Sequence, residues 1–117
     1  MEPQDTITIA PSVLITIAKH AAEQVEGVAR TGQIPVDMGR LLRGNAMASG
    51  VVLDIDDQTV SLDLYLVLRP GAVMAETSRK VQQSVRRAIQ DLVGMEVRTV
   101  NIHIEDIDTL TSGKGQA

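Results

Sequence analysis

The chain has 117 residues, 44% hydrophobic and 22% charged, with a net charge of −4, which fits one folded domain around one core. It has no cysteine, and Tyr65 is its sole aromatic residue, so disulfides, thiolate metal sites, thiol catalysis and aromatic base-stacking platforms are excluded. The mild acidity opposes general polyanion binding unless cations are segregated on one face.

Absence of cysteine also suits a reducing compartment. The first residues, MEPQDTITIA, lack a basic segment followed by an apolar one, and no stretch reaches the roughly 20 apolar residues of a membrane span. The expectation is a chain neither exported nor embedded, placed in the cytoplasm or at the inner face of the cell membrane.

Thr6 to Ile9 alternates polar and apolar, which predicts a short edge strand with Ile7 and Ile9 on one face. Pro11 suits the first turn of a helix, with Ser12 as an alternative cap, and Val13, Ile17, Ala21 and Val25 then recur every four residues beside Leu14 and Ala18. Gly27 stands where that helix should stop. Residues 28–50 carry five glycines and prolines without a sustained period, which predicts a long mobile loop with one helical turn around Met38 to Arg43.

Val51 to Ile55 and Thr59 to Leu68 read as a hairpin, with Val60, Leu62, Leu64, Leu66 and Leu68 facing the core. Ser61, Asp63, Tyr65 and Val67 face the other way. After Pro70 and Gly71 a helix runs to Leu92 with Val81, Val85, Ala88, Ile89 and Leu92 on its apolar side, and Gly94 ends it. Glu96 to Ile107 is the last strand, with Val100, Ile102 and Ile104 inward and Asn101, His103 and Glu105 outward. The tail, 109–117, reads as disordered. The order βαββαβ predicts a single domain over 1–108, an α+β (α/β) two-layer sandwich. Its four-stranded sheet carries two helices on one face, and the leading topology is the ferredoxin-like split βαβ.

Three surfaces invite a functional reading. Arg79, Lys80, Arg86 and Arg87 occupy the second helix opposite its apolar stripe, four cations against Glu76 and Asp91 within an acidic chain. They form either a docking face for an acidic partner or anionic head groups, or a solvated face with Glu76 paired to Lys80. Asp63, Tyr65, Asn101 and His103 should share the sheet face away from the helices, as a self-association surface or a hydrated one. Arg40, Leu41, Leu42 and Arg43 form a basic and apolar knot in the long loop, which either adds to the docking face or caps the core.

ITIAPSVLITIAKHAAEQVEGV, GVVLDI, SLDLYLVL and VQQSVRRAIQDLVGMEVRTVNIHI, spanning Ile7 to Ile104, together resemble the alkaline shock protein twenty-three family of bacterial envelope stress response proteins. The chain departs from that pattern at Ala72 to Ala75, where apolar residues replace a polar helix start, and in lacking a long charged N-terminal extension. The resemblance implies a small cytoplasmic, non-enzymatic protein without a cofactor, linked to the envelope, self-associating and held near the membrane by a membrane-anchored protein partner. Two other readings stand beside it. One is a nucleic-acid-binding or regulatory module, disfavoured by the aromatic count and acidity. The other is an enzyme using Asp63, Tyr65 and His103, disfavoured because no nucleophile, metal cluster or phosphate loop is spelled out.

Overall fold

Thr59–Leu68 organises the molecule, because its strict alternation gives it two different faces and three neighbouring strands. A computed structural model describes residues 6–35 and 46–109. Its elements are α1 (Pro11–Glu23), β1 (Val28–Thr31), β2 (Ala46–Ala48), β3 (Val51–Asp56), β4 (Thr59–Leu68), α2 (Met74–Leu92) and β5 (Glu96–Ile107). Strand β4 pairs antiparallel with β3 and with β1, and parallel with β5, while β2 extends the sheet beyond β3. One buried cluster joins Leu14, Ala18 and Ala22 of α1 to Val81, Val85 and Ile89 of α2 and to the inward residues of β3, β4 and β5. The result is the expected α+β two-layer sandwich, with both helices on one sheet face.

The sheet differs from expectation in three ways. Thr6 to Ile9 forms no strand, and Ile7 is 92% exposed. The place beside β4 that a split βαβ would give it is filled by β5 itself, so β4, α2 and β5 make a crossover between adjacent parallel strands. Among the described residues the sheet has five strands instead of four. The added pair, β1 and β2, falls inside the stretch read as loop. Each is four residues or fewer, too short to show a period, and takes its pairing from β4 and β3. The turn around Met38 to Arg43 and the tail from residue 110 lie outside the described residues.

Strands β1 and β3 share one edge of β4 end to end. The Tyr65 N–H donates to the Gly50 carbonyl, and the Tyr65 carbonyl accepts from the Gly32 N–H. Beside this joint, Ser49 and Gly50 close the two-residue β2–β3 hairpin with φ of 54° and 78°. Positive φ at both central residues is the turn whose twist matches the flanking strands, and it demands a glycine where bulk also cannot enter.

The apolar stripes are displaced from their expected positions. In α1 the buried residues are Leu14, Ile15, Ala18, Ala21 and Ala22, while Val13 is 45% exposed. Residues 13 to 18, VLITIA, are apolar nearly all round, so periodicity alone cannot choose the inner side. In α2, Val81, Val85 and Ile89 are fully buried, but Leu92 projects at the last turn and is 72% exposed.

Candidate functional site

The register of β4 against β5 places Asp63 beside Asn101 and Tyr65 beside His103, so these four residues do share the sheet face opposite the helices. His103 Nε2 lies 2.8 Å from Asp63 Oδ1, and the His103 ring stacks on Tyr65 with centroids 4.5 Å apart and planes 13° from parallel. Tyr65 is only 5% exposed, and Val52 and Val67 on the same face are also buried, so this face is not the open polar surface that alternation suggested.

Glu105 completes the cluster. It is the extra residue of a β-bulge between Ile104, which pairs with Leu66, and Asp106, which pairs with Val67. From there its Oε1 accepts the Gln33 N–H at 2.9 Å, so a carboxylate from the sheet edge crosses β4 to hold the chain leaving β1. Sequence alternation put Glu105 outward but could not show the bulge, and no local signal pointed to Gln33.

Burial, followed by the charges of Asp63 and then Glu105, raises the Tyr65 pKa above its ordinary 10.0. The folded state therefore holds the phenol proton after the unfolded chain has released it. Stability should be intact below pH 10.0 and decline as pH rises from there through the raised value. Tyr65 is the only tyrosine and there is no tryptophan, so ultraviolet titration reads this group alone. A native midpoint at or below the midpoint in denaturant would contradict the burial described here.

The second surface lies on α2. Arg79, Lys80 and Arg87 are exposed, and Lys80 Nζ sits 3.7 Å from Glu76 across one helical turn. Arg86 departs from this group: its guanidinium donates to the Val97 carbonyl on β5. Gln82, one turn earlier, donates to the Val100 carbonyl at 3.0 Å, and Ser84 ties α2 to the Ala21 carbonyl of α1 at 2.9 Å. Gln82 and Arg86 each follow a buried valine, Val81 and Val85, and that flanking position at four-residue spacing was the signal for their role. Lys80, Gln83, Arg87, Asp91 and Leu92 line one open strip of the α2 surface. Arg40 and Arg43 lie outside the described residues, and His20 is exposed on α1.

Among the described residues, no three His, Asp or Glu side chains are grouped to hold a metal ion, and no helix is long and apolar enough to cross a membrane. What these residues form is a small two-layer α+β domain with a half-buried His–Asp–Tyr cluster around Tyr65 on one layer and a cationic helix face on the other. The chain belongs to the alkaline shock protein twenty-three family, described as having a cell envelope-related function, whose sequence model matches residues 1–109. It is 30% identical to the uncharacterized protein YqhY of Bacillus subtilis, over 92% of this chain and 83% of that protein. It is 32% identical to the uncharacterized protein Spy1535 of Streptococcus pyogenes serotype M6, over 86% of this chain and 78% of that protein. Among solved structures, the MamM-CTD 215-293 fragment superposes with a TM-score of 0.52 at 13% identity, over 83% of this chain and 99% of the fragment. A variant MamM CTD in its manganese form gives a TM-score of 0.52 at 12% identity, over 83% of this chain and 99% of that chain. At such identity the likeness is one of fold alone.

Proposed function

We propose that this chain is a non-enzymatic interaction scaffold of the cell envelope, acting in the envelope stress response from the cytoplasmic side. In this reading it associates with its own copies and is docked near the membrane by a membrane-anchored protein partner. The observation that carries the docking role is the exposure of Arg79, Lys80 and Arg87 together on the solvent side of α2, three cations against Glu76 and Asp91, in a chain whose net charge is −4. A cationic strip on an acidic body steers an acidic protein surface toward one face and limits indiscriminate binding to polyanions. Arg86 serves β5 and is not part of the strip. The envelope-related description of the family supports the setting.

Each exposed charge contributes about 0.5 kcal/mol to such a contact, so reversing three should weaken docking by more than about 1.5 kcal/mol, roughly tenfold. The expected result for the Arg79→Glu, Lys80→Glu, Arg87→Glu variant is loss of most membrane-fraction recovery in cells at matched expression, with unchanged far-UV circular dichroism. Recovery equal to the parent protein would remove this face from the mechanism. The self-association role draws support from the cluster of Asp63, Tyr65, Asn101 and His103 beside the outermost strand.

A further inference from the structure

Among the described residues strand β5 is the sheet's outermost strand on its side and pairs with β4 alone. Its register decides which main-chain groups face away from the sheet. The Glu96 N–H donates to the Gln58 carbonyl, so Glu96 faces β4 and Val97 faces out. With a bulge at Arg98, the outward positions then become Val100, Ile102 and Ile104, until Glu105 interrupts the alternation. The helix treats these positions unequally. Val97 and Val100 have their carbonyls bonded by Arg86 and Gln82, whereas the outward N–H and C=O groups of Ile102 and Ile104 enter none of the hydrogen bonds given by the described residues. Both isoleucines are also only partly buried, although their side chains belong to the core side. An edge is usually blunted by Lys, Pro or cover, and between Gln82's bond and the bulge the described residues give this one none of them.

We infer that Ile102 to Ile104 is the contact by which a second copy of this chain joins, through antiparallel pairing of β5 with β5 about a two-fold axis at His103. This rests on the self-association proposed above and names its surface. The argument is self-complementarity. Two outward residues spaced by one, blocked on either side, admit a single symmetric register: Ile102 of each copy faces Ile104 of the other, exchanging both main-chain bonds as a hydrogen-bonded pair does. That register also sets β-branched side chains against each other on the core side, where such cross-strand pairs stabilise a sheet. An axis at Ile102 would require Val100, whose carbonyl Gln82 already holds, and an axis at Ile104 would require Asp106, which faces β4. On the outer face His103 meets its own copy as the non-hydrogen-bonded pair, with Cα atoms about 4.5 Å apart.

That spacing lies within the range a disulfide spans, and the chain has no cysteine of its own. The test is therefore a His103→Cys variant of the full chain, oxidised gently and resolved by non-reducing electrophoresis. An Asn101→Cys variant serves as control, because the same axis holds two copies of that position about 13 Å apart. The expected result is a covalent dimer from position 103 and none from position 101. Ile102→Pro supplies a second arm: of the main-chain groups it removes an outward N–H and leaves those facing β4 in place, and it should lower the associated fraction in light scattering more than Ile102→Ala, which loses the same core contact and keeps that N–H. If the parent protein associates but position 103 does not cross-link, or position 101 cross-links equally, this register is overturned while self-association stands. If the parent protein is monomeric at high micromolar concentration, both are overturned.

Discussion

Gly50→Val is expected to cost about 3 to 5 kcal/mol, bringing a domain of ordinary stability near its unfolding threshold. Two penalties coincide there. The φ of +78° is strained for any residue with a Cβ and worse for a β-branched one. A Cβ would also stand 2.7 Å from the Gly32 carbonyl oxygen and 3.0 Å from the Gly32 nitrogen, and both are main-chain atoms that cannot swing aside. Gly71 is the matched control, with φ of +88° and nothing within 4 Å of its Cβ position, so Gly71→Val should show the backbone penalty alone. Denaturant midpoints for the two variants separate the terms. Equal losses would mean that β1 and β3 do not abut tightly at this joint.

Leu64→Ala is expected to cost about 2 to 5 kcal/mol, the usual loss when a fully buried leucine is cut back to its Cβ. Leu64 is 0% exposed on the central strand, with Val51 of β3 and Ile102 of β5 as its pairing partners. A cavity in the middle of a sheet can collapse little, because both flanking strands are fixed by their own ladders. Leu92→Ala, at a position 72% exposed, should change stability by less than about 0.5 kcal/mol. A comparable loss at Leu92 would place the end of α2 against the core instead of in solvent.

Leu92 also marks where periodicity stopped being informative. A helical stripe is a statement about angle, and it says nothing of where the partner layer ends. Val81, Val85 and Ile89 were legible because sheet lies beneath them, and Leu92 shares their side but overshoots it. The alternation of β4 was fully legible in one direction and half legible in the other. Its even-numbered leucines are core as expected, whereas Tyr65 and Val67, expected to face outward, do so and are nonetheless buried. Strands β1 and β2 were illegible because three or four residues cannot display a period, and β1 takes its pairing from β4, distant in the chain.

The shared face of Asp63, Tyr65, Asn101 and His103 could be read from parity alone, but the 2.8 Å contact and the ring stacking needed the parallel register. The four cations of α2 looked alike in sequence. Only the position of β5 separates Arg86, which serves the sheet, from Arg79, Lys80 and Arg87.

The way β1 and β3 share one edge of β4 bears on how that edge is held. Strand β1 ends at Thr31 and β2 begins at Ala46, and each is anchored separately, by Tyr65 and Glu105 on one side and by the β2–β3 hairpin on the other. Neither anchor depends on the number of residues between them. The ladder of β4 thus receives β1 and β3 as two independently fastened pieces of chain.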